Sequence, residues 1–543
     1  MTSVTTKKLQ IIAAKDFREA FSSNTDTTVG YVFIGNHTAY ADEGNPPNIE
    51  DTVKTEKSVW DNMIAAKKVA GGDVELVIPR VLWTANTKYR QFDDAIPFAT
   101  LLSANTTQNL KGMYVMTSER NVYKCVSNAI SSSGVTSNST VMPSGIYTTS
   151  NGNIATSDGY IWKYMYNVKP SNKFLTADWM PVPESTAQFD YGVDSTGVIP
   201  GELVSIIVTA NGSNYREASN IIVDSYSSGA KHLALSNTVI VREVFSISSL
   251  ANLANMSISG TGIATGTYIS AIEDSNGNIT LSSSTTANGG GSNTLNHLAF
   301  ATRVYINGDG TGAIANTIIS NTSINAPAAA ANIARIKVTT IGKNYTVANA
   351  HIYGSGSGAT ARVILPPKYG HAYNPSKELF ANNVMVAVRI GEIDSTEGGK
   401  ISSNTNFRQY GLLINPHKYG NTGTVTLANA NTIFVQTSNV TVVPGSAYLL
   451  DEYVYQGTDP TNSKAYGFVV DQETNIIKIS NKYGSFDVGA VLTGANSGTQ
   501  RVIVSSTNPE LEPYTGDIVY TENVTKIDRE EGQAENIKLI VRF

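Results

Sequence analysis

The amino-acid sequence predicts a mainly β protein, an α+β framework into which small β-only domains are inserted. Three observations carry this expectation. Charged residues make up only 15% of the chain against a usual share of about a quarter, while Gly (45) and Tyr (27) are plentiful, a mix that suits strands joined by many turns. Beyond about residue 200 helix patterns vanish, and short apolar runs alternate with Gly, Asn and Ser turns. At 543 residues the chain exceeds the roughly 250–300 at which a single core stops growing, so two or more domains are expected.

In chain order, residues 11–21 mix apolar and charged positions at helix and strand spacing, and VGYVFI at 29–34 reads as a buried strand. A helix is predicted over 51–70, where DTVKTEKSVWDNMIAAKKVA places Val53, Val59, Trp60, Met63 and Ile64 on one side with lysines on the other, and Gly71-Gly72 supplies the stop. VELVIPRVLW at 74–83 returns to strand, and YVMTSERNVYKCV at 114–126 reads as a hairpin with a polar centre. GYIWKYMYNV at 159–168 alternates large apolar with polar residues, the pattern of a strand buried on one face.

At about Gly201 the charges thin out, which sets a boundary. IIVTANGSNY at 206–215 returns as IKVTTIGKNY at 336–345, each followed by a strand and a glycine-alanine pair, Gly229-Ala230 and Gly358-Ala359. Two copies are too few for a solenoid, so the expectation is a strand, a glycine turn with a tyrosine anchor and a second strand, used twice in one small β unit. Between the copies, Asp274-Ser-Asn-Gly marks a hairpin, and the alanine-rich stretch 326–334 suits a linker or short helix. NVMVAVRI at 383–390 and NFRQYGLLINP at 406–416 resume the mixed character; strands at 447–456, 465–471 and 475–480 follow in a second β-only stretch. The closing IKLIVRF at 537–543 must pair inside a sheet, because an unpaired apolar edge invites aggregation. The organisation expected is a core first part over 1–200, an inserted β module with the repeat over 201–375, a core second part over 376–421, a second inserted module over 422–512 and C-terminal core strands over 513–543.

Composition also limits function. Net charge is −5 with no run of Lys or Arg that could track phosphates, so no nucleic-acid partner is expected. No apolar run reaches the about 18 residues a spanning helix needs, so no membrane insertion is expected. The apolar run 9–14 is too short for a secretory signal, which points to the cytoplasm at synthesis. Cys125 stands alone, so it reads as a buried, inert thiol.

Candidates for chemistry fail one by one. Gly308-Asp-Gly-Thr-Gly-Ala and Gly354-Ser-Gly-Ser-Gly lack the Lys-Ser/Thr and the following helix of a phosphate cradle, and Gly398-Gly399-Lys400 lacks the earlier glycine of a P-loop. Asp274, Asn276 and Asn278 mimic a calcium loop, but Ile279 stands where its glycine belongs. The histidines at 37, 232, 297, 351, 371 and 417 form no paired motif. Asp93-Asp94 and Asp451-Glu452 could serve a glycosidase, but solvated loop charge is the better reading, as it is for Asp528-Arg-Glu-Glu. Catalytic, cofactor and metal residues are therefore expected to be none.

Several segments do resemble a known family. VIPRVLW at 77–83 with TKYR at 87–90, SDGYIWKY at 157–164, FRQYGLLINP at 407–416, and TGDIVYTEN at 515–523 leading into ENIKLIVRF at 535–543 resemble, in order, the baseplate wedge subunit of T-even-like contractile-tailed phages, the gene-eight product family. The resemblance covers about half of the chain. It implies a layered β-sandwich core with helices in flanking loops, a homodimer within each wedge, contacts with other wedge proteins and no catalytic residue. The protein would reside in the virion tail baseplate after assembly in the host bacterial cytoplasm. The stretches 201–375 and 422–512 are additions to the family pattern, so nothing about their neighbours carries over. Trp83, Tyr160, Trp162, Phe407 and Arg408 are candidate interface residues, because aromatic and arginine side chains dominate interface energetics, with core burial as the competing reading of each. A host-binding tail fibre or adhesin with carbohydrate-binding β modules is the alternative, and a polysaccharide-cleaving β enzyme a third.

Overall fold

A computed structural model describes the chain apart from residues 1–5, 23–27, 105–109, 130–135, 147–152, 185–196, 214, 216–238, 241–257, 260–268, 274–277, 282–298, 301–302, 321–331, 354–356, 392–404, 421–432 and 530–532. Antiparallel strands dominate it, so the protein is mainly β; the α-helices among the described residues are Lys7–Ser22, Val53–Asn62, Phe98–Leu102 and Pro375–Glu378. Two compact units emerge, one from Met1–Ile78, Lys173–Val182 and Ala381–Phe543, the other from Pro79–Asn172 and Pro183–Phe380. Composition put a boundary near 201, whereas compactness groups 79–172 with the residues that follow 183. The reason is that the polar partners of this stretch lie late in the chain, as Arg362 does for Asp93 and Asp94.

In the first unit one sheet runs in the order Ile433–Val435, Met63–Lys68, Gly30–Gly35, Phe407–Ile414, Asp517–Ile527, and a second runs Trp179–Pro181, Val74–Pro79, Asn383–Gly391, Ala534–Arg542. All six residues of GYVFIG are buried, as an apolar run flanked by strands on both edges should be. Tyr31, Phe33, Trp60, Met63, Leu413 and Phe434 close around it in one apolar cluster. Lys67 donates to the carbonyl of Arg389, joining a strand of one sheet to a strand of the other. The final strand pairs residue for residue with Asn383–Gly391, from Asn383 opposite Arg542 to Gly391 opposite Ala534.

The helix expected over 51–70 stops at Asn62. Thr52 caps its start by accepting from Thr55 N at 3.2 Å, and Met63 leaves it in extended conformation. Met63–Lys68 is instead a strand, paired with Gly30–Gly35 on one edge and Ile433–Val435 on the other. Helix propensity favours Ala and Lys by well under 1 kcal/mol per residue, and two ladders plus the burial of Met63 through Ala66 outweigh it. The strand expected over 74–83 likewise ends at Pro79.

The same unit carries a closed barrel made wholly from residues 438–507. Its strands follow one another around the wall as Ser438–Val442, Ile476–Tyr483, Ser463–Glu473, Tyr453–Gly457, Val491–Gly494 and Gln500–Thr507. Alternate residues point inward, so Val440, Val454, Val469, Ile477, Ile479, Leu492 and Ile503 fill the interior.

The second unit holds a four-stranded sheet in the order Tyr114–Met116, Asn121–Ser127, Ile161–Asn167, Asn153–Ala155. The expected hairpin is present, with Tyr114 opposite Lys124. Ile161–Asn167 was expected to be buried on one face, but Trp162 through Tyr166 are all buried, so both faces are covered.

The repeat falls in a six-stranded sheet of this unit, ordered Ile206–Ser213, Ser357–Val363, Ala348–Tyr353, Arg303–Gly308, Thr311–Ile319, Ile333–Lys343. The two copies are its terminal strands, and the sheet curls until they meet: Asn211 Nδ2 donates to Ile333 O at 2.7 Å. Each tyrosine anchor is held by a hairpin distant in sequence. Tyr215 Oη accepts from Ala359 N at 3.2 Å, and Tyr345 Oη accepts from Ala313 N at 3.3 Å. Gly212 and Gly342 have φ of 60° and 61°, and a Cβ on either would stand 2.4 or 2.6 Å from that same alanine nitrogen. The glycine-alanine pair serving the first copy is thus Gly358-Ala359 and the pair serving the second is Gly312-Ala313; Gly229-Ala230 lies outside the described residues, as does most of 326–334. Strands Ile269–Glu273 and Asn278–Leu281 pair antiparallel around the predicted hairpin, whose residues 274–277 are not described.

Candidate functional site

The five interface candidates land largely in the interior of their own units. Tyr160 and Trp162 are fully buried and stack with centroids 5.6 Å apart, and Tyr160 Oη donates to Ser137 O at 2.7 Å. Phe407 is buried in the strand Phe407–Ile414. Arg408 is buried beside it, its Nε donating to both oxygens of Glu43 at 2.8 and 3.0 Å and its Nη1 to His37 O at 2.5 Å, which pins the loop 37–43. Trp83 is half-buried against the aromatic cluster around Tyr89 and Tyr123, with Nε1 donating to Ser139 Oγ at 3.2 Å. Within the single chain, Tyr160, Trp162, Phe407 and Arg408 leave no surface to offer a partner, because each is itself buried.

The acidic pairs are also spent in structure. Asp93 and Asp94 each accept from Arg362 at 2.6 Å. Glu452 is buried and receives Leu449 N at 2.7 Å and Ser497 N at 2.9 Å, while burial raises the Asp451 carboxyl above its ordinary range. In each pair one carboxylate, Asp93 or Glu452, is buried and fixed by its partners, while its neighbour, Asp94 or Asp451, stays exposed as the solvated-charge reading expects. Asp309, in the first glycine-rich turn, accepts from Thr346 N at 2.8 Å and Val347 N at 3.0 Å, which makes that turn a hairpin clamp. Arg529 is buried and pairs with Glu535 at 3.0 Å. Cys125 is fully buried, and burial pushes its thiol well up from the ordinary value.

What the linear sequence did not bring together is a cluster of buried charges on one face of the four-stranded sheet. Lys124 and Lys163 sit directly opposite one another in the ladder between Asn121–Ser127 and Ile161–Asn167, and Asn153 sits opposite Lys163 on its other side. Two like charges facing each other on a buried sheet repel, and each is met by its own carboxylate. Lys124 Nζ reaches Glu378 Oε2 at 2.6 Å and lies 4.3 Å above the Phe92 ring; His371 Nδ1 is 3.8 Å from the same carboxylate. Lys163 Nζ reaches Glu202 Oε1 at 2.9 Å and the carbonyl of Gly197 at 2.6 Å, and Asn153 Nδ2 donates to Glu202 Oε2 at 3.1 Å. Relative exposure is 0% for Lys124, 1% for Lys163 and 0% for Glu202, so bulk water screens none of them.

The electrostatics follow from this enclosure. Burial alone would raise the Glu378 carboxyl, but the adjacent Lys124 cation wins and holds it down to about 2. Burial lowers Lys124, with Glu378 opposing. His371 is pushed down to about 3, first by burial and then by the Lys124 charge, so its ring is neutral. Burial raises Glu202, against the pull of Lys163. One neutral imidazole, two lysines and two carboxylates therefore form a balanced set that ties the sheet to the chain near 202 and near 378.

No protein-family signature matches the sequence, and no curated protein matches it.

Among the described residues, no group of three or more His, Cys, Asp or Glu side chains could hold a metal ion. No described helix is long and apolar enough to cross a membrane. A cleft of about 300 Å³ opens in the second unit, lined by Gln91, Asn128, Thr156, Asn211, Arg335 and Lys337 among others. An observer of the sequence could have found the charge cluster only by asking why Lys124 and Lys163 interrupt apolar strands; Glu202, His371 and Glu378 carry no local signal.

Proposed function

We propose that this chain is a structural subunit of a contractile-tail baseplate wedge, assembling as a homodimer with other wedge proteins and working by rigidity, with no active site of its own. The reading is carried by the ordered set of shared segments, VIPRVLW, SDGYIWKY, FRQYGLLINP and TGDIVYTEN with ENIKLIVRF. What supports it is how firmly several of these segments are tied into their sheets. FRQYGLLI lies between two strands of its sheet, the last strand is paired along nine positions, and Trp162 and Lys163 within IWKY are locked by buried contacts. A part of this kind stays stiff until its neighbours move, and buried ion pairs with dedicated partners specify one arrangement of the chain. Electron microscopy of the intact particle tests the location, which should be the tail end of the virion. Light scattering on the purified chain tests the assembly, which should have twice the mass of one chain.

One observation favours the second reading, a host-binding adhesin. On the outer wall of the barrel Tyr453 stacks on Tyr466 at 5.2 Å and Tyr466 on Tyr483 at 5.1 Å, and Tyr483 is 62% exposed. Exposed aromatic faces bind sugar rings by stacking. Binding to host surface glycan, lost in Tyr483→Ala, together with a trimeric mass, would favour the adhesin over the wedge.

A further inference from the structure

The charge cluster has two halves that differ in one respect. Lys124 is met by Glu378, His371 and an aromatic ring, none of which can be acylated by or acylate an amine without an added activating group. Lys163 is met by a carboxylate and a carboxamide together. Its directly opposed neighbour in the ladder is Asn153, and the two oxygens of Glu202 hold both reacting groups, Oε1 on Lys163 Nζ at 2.9 Å and Oε2 on Asn153 Nδ2 at 3.1 Å. All three side chains are at least nine-tenths buried, in a setting that excludes the water which would otherwise hydrolyse an activated amide.

We propose that Lys163 and Asn153 join through an intramolecular amide bond between Lys163 Nζ and Asn153 Cγ, with Glu202 as the proton carrier. Glu202 takes one proton from the Lys163 ammonium, leaving a neutral amine and a neutral acid. The amine lone pair attacks Asn153 Cγ, forming the N–C bond. The tetrahedral centre collapses as Cγ–Nδ2 breaks, and the departing nitrogen leaves as ammonia after receiving, through Glu202, the proton released from Nζ. The remaining proton stays on Glu202, so the product holds no unpaired buried charge. No oxidant, metal or cofactor is needed, because an amide is exchanged for an amide.

Three features serve this step. Proximity is supplied by the ladder register, which turns a bimolecular aminolysis into an intramolecular one. A buried lysine amine is a competent nucleophile once its proton is removed. Burial favours the protonated form of Glu202, the form the carrier must adopt during the step and keep after it. The product would staple Asn153–Ala155 to Ile161–Asn167 inside the sheet, so that this hairpin could not shear open under load. The inference stands on the geometry of these three residues and is independent of where the protein is assembled.

Mass spectrometry of the purified full chain tests it. The intact chain should be lighter than its sequence by one ammonia. Trypsin should no longer cut after Lys163, and the peptide spanning 125–173, which carries both Asn153 and Lys163, should appear as one internally ring-closed peptide lighter than its sequence by one ammonia. Glu202→Gln, which keeps the shape and removes the proton carrier, and Lys163→Arg, which keeps the charge and removes the nucleophile, should each show the full mass of their own sequence; both can be read on denatured protein, so loss of folding does not hide the result. A wild-type chain of full sequence mass that is cut normally after Lys163 would overturn the proposal and leave a plain buried ion pair. The same ammonia loss in Glu202→Gln would overturn the role of Glu202.

Discussion

Replacing Lys124 by Met keeps most of the side-chain volume and removes its charge, leaving the Glu378 carboxylate buried with no cation, beside a neutral imidazole and the Asn374 N–H. Breaking a buried pair by deleting one partner costs about 3–5 kcal/mol, because the surviving charge is stranded away from water. The direction agrees: despite full burial, which would raise it, the Glu378 carboxyl is held down to about 2, chiefly by the Lys124 cation. With a urea dependence of about 1–3 kcal/mol per molar, the unfolding midpoint of the second unit should fall by at least about 1 M. Trp162, fully buried in the same sheet, provides a fluorescence signal for that titration. Lys124→Met with Glu378→Gln should recover much of the loss, and the coupling between the two sites in a double-mutant cycle should exceed about 1 kcal/mol. A single-variant loss below about 1 kcal/mol, or additive losses in the double variant, would refute the view that Lys124 is what holds Glu378 ionised.

Three further outcomes are expected. His371 is down to about 3 and His37 to about 4, the latter through burial and then the Arg408 charge, so both are neutral when folded and protonate near 6.5 when unfolded; their share of stability is complete above pH 6.5 and lost as pH falls toward those values, with Glu378 adding to the decline below pH 4.5. Calorimetry should show a plateau of Tm above neutrality and a fall on acidification, and a flat profile down to pH 4 would contradict the assignment. Gly342→Ala forces a side chain into positive φ and against Ala313 N, at a cost of roughly 1–3 kcal/mol, whereas Gly72→Ala, which meets nothing within 4 Å, should leave thermal unfolding nearly unchanged. Cys125 should resist thiol reagents in the folded chain and take one label per molecule in denaturant; native labelling would mean the sheet opens far more readily than its packing implies.

The pattern of residues along the chain announced the strands well where an element is decided by its own neighbours. VGYVFI at 29–34, the hairpin expected at 114–126 and NVMVAVRI at 383–390 stand between turn residues, and the structure has a strand at Gly30–Gly35, paired strands at Tyr114–Met116 and Asn121–Ser127, and a strand at Asn383–Gly391. The two copies of the repeat were visible because a glycine at positive φ three residues before a tyrosine is a local device. Their exchange was not visible: which hairpin supplies the amide for which tyrosine depends on how the sheet closes. The helix over 51–70 went wrong for the same reason, since the strand partners at 30–35 and 433–435 are remote from IAAKK.

The candidate residues show the division most sharply. Aromatic and arginine side chains near the shared segments were chosen by residue type, and type says what a side chain can do without saying whether a neighbour already occupies it. By itself the sequence determined the mainly β class, the closing strand's need for a partner and the burial of Cys125, all of which follow from hydrophobic periodicity and local turn chemistry. Only the tertiary structure decided that Lys124 and Lys163 face each other, that Glu378 and Glu202 meet them from distant points of the chain, and that Asn153 stands beside the second lysine. Burying a charge is tolerable only when an opposite charge arrives from elsewhere in the fold, and no rule of sequence spacing says which one will arrive.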